Sequence, residues 1–356
     1  MPRINKELNS DSKISIALCT YNGERYLKEQ LDSFLRQKLL PYEIVACDDA
    51  STDSTLKILE DFARTAPFPI RIYRSNHNLG LIQNFSKAAS LCTGDYVAFS
   101  DQDDIWLPDK LDASFHRMKE AEREYGSDIP LLVYSDPSLI DSEGRRLGPS
   151  LMKHQKTWHS DHDPLRRLLI HNTVAGHTSL CNKVLMQVSL PFPEVITNHD
   201  GWFALVAASI GKIFFIPGAL VLYRQHESNA VGINPIQKFN IRYIRHILNR
   251  INAVGANPIQ KFNIRYIRHI LNRIMEEFIV VFIPTMEIDK YLHQAKELQK
   301  RLNERIRKAP SILNIYIEAL EQGGLMAARI LIMNKIRPHG FINAFRFYHC
   351  IARSGA

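Results

Sequence analysis

Three carboxylates fall within four positions of the stretch VAFSDQDDIWLPDK, directly after an apolar run. Asp101, Asp103 and Asp104 would repel one another in a folded loop unless a cation joined them. Carboxylate oxygens suit Mg²⁺ or Mn²⁺, and an ion held by one or two of them keeps positions open for phosphate oxygens. The alternative is that Asp103 or Asp104 caps a helix beginning at Ile105. Because three acids exceed what a cap needs, the stretch predicts a divalent-metal site.

Alternating strand and helix patterns position this acidic cluster. Short apolar runs such as KISIALC, YEIVACDD, IRIYRS and YVAFSD alternate with segments whose apolar residues recur at helical spacing. This order predicts an α/β fold with a mostly parallel sheet flanked by helices, and ligands bind such sheets beyond the carboxyl ends of the strands. Polar side chains follow the first, second and fourth strands, which one shared site explains best. They are Thr20, Tyr21 and Asn22, then Asp48 and Asp49, and then Asp101 to Asp104.

Several ordered motifs resemble those of family 2 glycosyltransferases, most of all the bacterial rhamnosyltransferase-like members. These motifs are ISIALCTYNGERYLKEQLDSFLRQ, EIVACDDASTDST, NLG, GDYVAFSDQDDIWLPDKL, NHDGW and YRQHESNAVG, and they span roughly residues 13–233. The resemblance implies the GT-A (Rossmann-like) fold and transfer of a sugar, with inversion, from a nucleotide-diphosphate donor to a hydroxyl acceptor. The implied donor is a dTDP- or UDP-sugar such as dTDP-rhamnose. The implied product is a bacterial cell-surface polysaccharide or O-antigen.

The resemblance also implies roles for individual residues. Asp200 of NHDGW matches the catalytic carboxylate of the family, and a helix start at this position would help to keep it ionised. Asp101 and Asp103 match the D-x-D element that holds Mn²⁺ or Mg²⁺, with Asp103 expected to bind the ion directly. His226 is a further metal ligand, a hydrogen-bond donor to phosphate, or simply an exposed loop histidine. Arg224 would stabilise the charge of the leaving diphosphate.

The predicted substrate site draws on several strand ends. Tyr21 would stack on the nucleotide, Asp48 or Asp49 would hydrogen-bond the base or ribose, and Gly80 would allow close backbone contact. Trp202 is either an acceptor platform or a core residue. The predicted substrate-binding residues are Thr20, Tyr21, Asn22, Glu24, Asp48, Asp49, Asn78, Gly80, Asp101, Gln102, Asp136, Trp202 and Arg224.

Charge divides the chain into two predicted domains, a glycosyltransferase domain at 1–233 and a basic helical region at 234–356. The second holds 20 Lys/Arg and 8 Asp/Glu, a net charge of +12, against −4 for the first. Residues 229–251 recur as 252–274 with one difference among 23 positions, which indicates a recent tandem duplication rather than a solenoid. The amphipathic helix in each copy either packs on a core or lies on anionic membrane.

Composition indicates where in the cell the protein is expected and which partners it is expected to bind. Five widely spaced cysteines without a C-x-x-C pair, and no secretory signal, predict a cytoplasmic protein, with peripheral contact at the inner face of the membrane as a hypothesis. The apolar stretch 203–223 has Lys212 at its centre, so it predicts a buried helix and strand rather than a transmembrane helix. The expected acceptor is a saccharide or lipid-linked glycan, no nucleic-acid partner is expected, and the oligomeric state stays open.

Two alternative functions remain. A sugar nucleotidyltransferase would share the sheet and the metal, but it needs a glycine-rich basic loop for a triphosphate, and CTYNGERY offers one glycine and one arginine. A non-catalytic nucleotide-sugar-binding or membrane-scaffold protein would not need the acids of the predicted site, which are intact. His171 and His177 are expected to shape the acceptor side rather than to catalyse.

Overall fold

The computed structural model describes residues 12–155, 157–159, 164–168, 172–193, 196, 198–227, 229, 292–301 and 317. The described residues up to Arg224, together with 292–301 and 317, belong to one compact unit, and those from Gln225 belong to a second. Almost all of the duplicated segment and most of the predicted basic region lie outside the described residues. The domain boundary at residue 233 therefore stays a prediction.

Strands and helices alternate from Ile14 to Ser100 in the predicted order, and the order is less regular in the rest of the first unit. The strands are β1 (Ile14–Thr20), β2 (Glu43–Asp48), β3 (Ile70–Arg74), β4 (Tyr96–Ser100), β5 (Ile105–Trp106), β6 (Leu131–Ser135), β7 (Ser138–Ile140), β8 (Arg146–Gly148), β9 (Leu180–Asn182), β10 (Lys212–Ile216) and β11 (Val221–Arg224). The helices are α1 (Leu27–Leu35), α2 (Thr55–Ala63), α3 (Leu81–Leu91), α4 (Lys110–Tyr125), α5 (Leu151–Gln155), α6 (Pro164–Leu168), α7 (Lys183–Ser189) and α8 (His199–Ile210).

Seven strands form the main sheet, in the spatial order β10-β6-β9-β4-β1-β2-β3. Neighbouring strands are parallel except at β9, which is antiparallel to β4 and β6. The chain steps outward from β1 to β2 and β3 and then returns to place β4 on the other side of β1. The crevice at the carboxyl ends of β1 and β4 is therefore a topological switch point, where ligands bind in open α/β sheets.

Four strands form a second, smaller sheet in the order β5-β11-β7-β8, which the sequence analysis did not foresee. The loop with the acidic cluster runs from the end of β4 in the main sheet to β5 in the small one. The chain at Ile105 is therefore a strand, and the proposed helix cap by Asp103 or Asp104 is wrong. The following helix, α4, begins at Lys110.

The core lies on both faces of the main sheet, because every residue of β1, β2, β4 and β6 is buried. Strands that are covered on both faces appear in the sequence as continuous apolar runs, and their positions could therefore be predicted from the sequence. On one face, Phe85 of α3 packs in a cluster with Phe203 of α8, and on the other, Phe34 of α1 packs with Met118 of α4.

The apolar stretch 203–223 forms most of α8 and then β10 and part of β11, as predicted. Helix α8 is apolar on nearly all sides, and of its first nine residues all but Asp200 are buried, as expected of a helix inside a protein core. Within the described residues, the structure contains no helix that is long and apolar enough to cross a membrane.

A short helical piece of the C-terminal region, residues 292–301, also belongs to the first unit. Its Ala295 and Leu298 are buried in the same apolar cluster as α8. Arg301 donates hydrogen bonds to the carbonyl oxygens of Ser189 and Pro191, at 2.9 and 2.8 Å. This piece of the predicted basic region therefore packs one face on the core and exposes His293, Lys296 and Lys300 on the other.

Candidate active site

The acidic loop meets a histidine from another part of the chain. His177, in the 3₁₀ turn Gly176–Thr178, places its Nδ1 atom 3.4 Å from Oδ2 of Asp101 and 3.6 Å from Oδ2 of Asp104. One ligand atom from each of these three residues lies within 4.8 Å of the others. We call Asp101, Asp104 and His177 the Asp-Asp-His cluster. Its donor atoms, two carboxylates and an imidazole, can hold a divalent cation.

Burial makes the electrostatics of this cluster unusual. It raises the pKa of Asp104 to about 8, and the neighbouring charges of Asp103 and Asp101 act in the same direction. Burial also opposes ionisation of Asp101, but the contact with His177 lowers the pKa of that carboxyl overall. For His177, burial favours the neutral ring, yet the charges of Asp104 and Asp101 raise its pKa. The cluster therefore stabilises positive charge at its centre.

Two polar atoms of the cluster are buried without a hydrogen-bond partner in the part of the chain that the structure describes. They are Oδ2 of Asp104 and Nε2 of His177. Leaving a buried polar atom unsatisfied costs ~1–3 kcal/mol. Such atoms occur in native proteins mainly where something else binds, and a metal ion is one candidate. The donor set and the unsatisfied Oδ2 of Asp104 thus both fit a divalent ion.

Lys110 is a further charged group near the cluster that the sequence analysis missed. Its side chain is fully buried and its Nζ lies 3.6 Å from the centre of the Trp106 ring. Burial lowers the pKa of Lys110 to about 7, although the carboxylate of Asp104 opposes this effect. Nothing in the sequence indicates this burial, because a lysine at the start of an amphipathic helix is usually solvated.

Of the predicted metal ligands, Asp101 lies in the Asp-Asp-His cluster, whereas Asp103 does not. Asp104, which the sequence left as the weaker candidate, takes the buried position instead. The other predicted ligand, His226, belongs to the second unit, where its backbone N–H donates to Oδ1 of Asn229. Asp103 and His226 therefore stay predictions, and His177 is the ligand candidate that only the structure reveals.

Arg224, predicted to face the diphosphate, is almost completely buried, and protein groups surround its guanidinium. Nε donates to the carbonyl oxygen of Asp103 at 2.9 Å, and Nη1 donates to that of Ser142 at 3.2 Å. Nη2 pairs with the carboxylate of Glu29, and the guanidinium carbon lies 4.8 Å from the centre of the Tyr26 ring. The side chain ties the acidic loop to α1 and to the β7–β8 connection.

Asp200 lies in the first turn of α8, and hydrogen bonds hold both of its carboxylate oxygens. Nδ2 of Asn172 donates to Oδ1 at 2.9 Å, and the backbone N–H of Gly176 donates to Oδ2 at 3.0 Å. Because Gly176 immediately precedes His177, one short segment contacts both Asp200 and the Asp-Asp-His cluster. The structure thus brings the predicted catalytic carboxylate and the acidic loop to the same end of the sheet.

At the end of β1, Tyr21 and Gln102 form a reciprocal pair across the switch point. The backbone N–H of Tyr21 donates to Oε1 of Gln102 at 2.8 Å, and Nε2 of Gln102 donates to the carbonyl of Tyr21 at 3.0 Å. A Cβ atom on Gly23 would lie 2.2 Å from Oε1 of Gln102, so a larger residue there would displace the Gln102 amide from this pair. The Tyr21 ring itself is about half exposed and remains available to a ligand.

Asp48 is fully buried, and neighbouring hydroxyl and backbone groups satisfy its carboxylate. It accepts hydrogen bonds from Oγ1 of Thr20 at 3.1 Å and from the backbone N–H of Ser51 at 3.0 Å. These contacts fix the loops after β1 and β2 relative to each other. The structure therefore gives Asp48 a supporting position beneath the predicted nucleotide site.

Asp49 holds the predicted Asn78–Gly80 turn. Its carboxylate accepts hydrogen bonds from the backbone N–H groups of Leu79 at 2.7 Å and Gly80 at 3.0 Å. Gly80 adopts a positive φ of 81°, which L side chains rarely tolerate. The turn thus lies beside the end of β2, as the shared site requires.

Asn22 and Glu24 connect the loop after β1 to the start of α2. Oδ1 of Asn22 accepts from the backbone N–H of Thr52 at 2.9 Å, and Oε2 of Glu24 accepts from that of Ser54 at 2.9 Å. Asn22 has a φ of 46°, a conformation that asparagine tolerates better than most residues. Both residues border the predicted donor site and stabilise its loop.

Asp136 and Trp202 lie in supporting positions. Asp136 accepts hydrogen bonds from Oγ of Ser150 and from the backbone N–H of Met152, at the start of α5. Trp202 is fully buried, its Nε1–H donates to the carbonyl of Ser189 at 2.9 Å, and the Arg301 guanidinium lies over its ring. Of the two alternatives for Trp202, the structure shows the core position.

Comparison with known proteins identifies the family. The model of "Glycosyl transferase family 2" matches residues 15–172. The dTDP-rhamnosyl transferase RfbG of Shigella flexneri is 31% identical over 232 residues, which are 61% of this chain and 74% of that protein. The chain belongs to glycosyltransferase family 2. Another relative, the putative glycosyltransferase EpsE of Bacillus subtilis, is 31% identical over 144 residues, 40% of this chain and 51% of that protein.

The fold of this family 2 member is also found in a solved structure. Residues 1–349 of S. aureus TarS superpose with a TM-score of 0.51 at 17% sequence identity, covering 97% of this chain and 92% of that one. At this identity the likeness shows the fold alone, and it confirms the predicted GT-A architecture. The chain spans about half the length of EpsE and about three quarters of the length of RfbG.

Proposed function

We propose that the protein is a metal-dependent inverting glycosyltransferase that moves a sugar from a nucleotide-diphosphate donor to a hydroxyl group. One observation carries the proposal: the segment that holds Asp200 also presents His177 to Asp101 and Asp104. A carboxylate able to accept a proton and a cluster able to hold a diphosphate-bound cation thus lie side by side. Sugar transfer by a single displacement needs these two functions together.

Asp200 is proposed as the general base. Its carboxylate would accept the proton of the acceptor hydroxyl while that oxygen bonds to the anomeric carbon. The bond from this carbon to the diphosphate oxygen breaks on the opposite face, so the configuration inverts. General base catalysis of this kind contributes ~10²–10⁴ in rate. The N-terminal turn of α8 favours the ionised carboxylate that the role requires.

Asp101, Asp104 and His177 are proposed to hold a divalent ion, Mn²⁺ or Mg²⁺. The unsatisfied Oδ2 of Asp104 and the position of Nδ1 of His177 beside both carboxylates support this assignment. Such an ion supplies charge stabilisation to the leaving diphosphate. Asp103 and His226 remain proposed alternatives from the family resemblance. Arg224 would contribute through the loop that it holds, because its donors already have protein acceptors.

The donor is proposed to be a dTDP- or UDP-sugar. RfbG is named as a dTDP-rhamnosyl transferase, and the TarS structure that matches at a TM-score of 0.50 contains UDP-GlcNAc. We favour dTDP-rhamnose, because RfbG is the more similar of these two proteins. The exposed Tyr21 ring would stack on the base of either nucleotide.

The acceptor is proposed to be a saccharide or lipid-linked glycan in bacterial surface polysaccharide or O-antigen synthesis. A cytoplasmic protein with peripheral membrane contact through its basic helical region would meet such an acceptor at the inner face of the membrane. The excess of Lys and Arg in residues 234–356 supports this location through attraction to anionic lipid.

Replacing Asp200 by asparagine tests the proposed reaction. We expect Asp200→Asn to lower kcat by at least ~10²-fold while dTDP-rhamnose still raises the melting temperature in the presence of Mn²⁺. Asp61→Asn, at an exposed ion pair with Lys57 on α2, is the control and should keep full activity. Unchanged turnover in Asp200→Asn would remove Asp200 from the base role. Pyrophosphate release from a nucleoside triphosphate would instead favour the nucleotidyltransferase alternative.

A further inference from the structure

The carboxylate of Asp200 is fixed from two directions. Nδ2 of Asn172 donates to Oδ1 at 2.9 Å, and the backbone N–H of Gly201 donates to the same oxygen at 2.6 Å. The backbone N–H of Gly176 donates to Oδ2 at 3.0 Å. Because donors contact both oxygens, rotation of the carboxylate about its χ2 bond would break at least one of these hydrogen bonds.

The side-chain amide of Asn172 can adopt only one orientation. Its Oδ1 accepts from the backbone N–H of Val174 at 3.0 Å, and its Nδ2 donates to the carbonyl of Val174 at 2.8 Å. Reversing the amide would direct its oxygen at the Val174 carbonyl and the Asp200 carboxylate, which are both acceptors. The N–H group that faces Asp200 is thus set by the backbone around Asn172.

Two glycines allow this close approach. A Cβ atom on Gly176 would lie 2.7 Å from Nε2 of His199 and 3.3 Å from Cβ of Asp200. A Cβ atom on Gly201 would lie 2.3 Å from Oδ1 of Asn198 and 3.5 Å from Cγ of Asn172. The segment therefore packs against α8 at a distance that side chains at these positions would prevent.

The residue after Gly176 in the same segment, His177, contacts the acidic loop. His177 lies 3.4 Å from the carboxylate of Asp101, while Gly176 binds Asp200. Residues 172–177 thus set the position of the proposed base relative to the proposed diphosphate anchor.

We infer that Asn172 is a positioning residue for Asp200, an inference that rests on the proposed role of Asp200 as the base. A general base acts only within hydrogen-bond reach of the proton it removes, in line with the attacking oxygen. Asn172 holds the Asp200 carboxylate in one rotation and leaves its remaining lone pairs for the acceptor hydroxyl. It contributes to the rate without touching the reacting atoms.

Substitutions at position 172 separate positioning from folding. Asn172→Asp keeps the size of the side chain, removes the N–H donor and places a like charge beside Asp200. Asn172→Ala removes the donor together with both side-chain hydrogen bonds to Val174, and Thr173→Ala is the matched control in the same segment. With dTDP-rhamnose and UDP-GlcNAc as probe donors, we expect both variants at 172 to lower kcat about 10- to 100-fold. Donor KM should stay within about threefold of wild type, and Thr173→Ala should behave as wild type.

The split between kcat and donor KM separates positioning from a merely structural role. A lowered melting temperature with kcat and donor KM changed together would indicate a structural role only and would overturn the inference, as would wild-type kcat in both variants. If Asp200→Asn is inactive and the variants at 172 are normal, only this inference fails. An active Asp200→Asn would instead refute the proposed base.

Discussion

Replacing Arg224 tests whether this buried cation supports the acidic loop, and we expect Arg224→Met to destabilise the protein strongly. The guanidinium donates to the carbonyl oxygens of Asp103 and Ser142 and pairs with the carboxylate of Glu29. Methionine fills a similar volume but provides no donor. The acidic loop would then lose its connection to α1 and to the β7–β8 connection.

The expected loss in the free energy of unfolding is the sum of what each partner of Arg224 loses. The Glu29 side chain is 50% exposed, so its carboxylate returns to water and its unpairing costs little. The carbonyl oxygens of Asp103 and Ser142 lose their donors, at ~1–2 kcal/mol each. Loss of the cation–π contact with Tyr26 adds ~0.5–1 kcal/mol. We therefore expect the free energy of unfolding to fall by ~3 kcal/mol.

Urea denaturation followed by circular dichroism at pH 7 measures this change. Arg224→Lys, which keeps the charge but offers one compact donor group, should lose about half as much stability. Glu29→Gln is the control and should lose less than ~1 kcal/mol. An equal loss in Glu29→Gln and Arg224→Met would show that the ion pair, not the carbonyl contacts, supplies the stability. A change below ~0.5 kcal/mol in Arg224→Met would refute the reasoning.

Two further predictions concern carboxylates. Burial opposes ionisation of Glu43, but hydrogen bonds from Thr93 and Ser15 lower its pKa below 4.5. The ionised Glu43 therefore contributes its full stability above pH 4.5, and this contribution is lost as the pH falls through the pKa of the folded state. Glu43→Gln should therefore reduce the free energy of unfolding at pH 7 by ~2 kcal/mol, measured in urea titrations. The difference from wild type should shrink below about pH 4. A difference that grows below about pH 4 would contradict the assignment. EDTA should abolish sugar transfer, and Asp104→Asn should weaken Mn²⁺ binding at least tenfold in calorimetric titrations while Asp109→Asn does not. Equal Mn²⁺ affinity in both variants would exclude Asp104 as a ligand.

The sequence by itself determined the order of the strands and helices of the main sheet. Its central strands are buried on both faces and appear as uninterrupted apolar runs, and the intervening helices show a 3.6-residue period. Both signals are local, so they can be read without the fold. The small sheet was missed, because β5, β7 and β8 have only two or three residues each and show no clear period.

The residues of the site also fall into those that the sequence predicted and those that only the tertiary structure revealed. The sequence determined that Asp101 and the polar residues after β1 and β2 meet at one end of the sheet, because parallel strands bring their carboxyl ends together. Only the tertiary structure decided that His177, 73 positions beyond Asp104, lies beside it, and that Asn172 holds Asp200. These contacts join segments that are far apart in the chain.

Burial of individual charged and aromatic side chains was the other property that the sequence could not supply. Arg224, Lys110 and Trp202 have residue types that are often found at binding surfaces, yet all three are enclosed by the protein. Whether a charge meets water, a ligand or a backbone carbonyl depends on which elements pack around it. The sequence therefore determined the chemistry available to this glycosyltransferase, and the packing decided which groups remain free to use it.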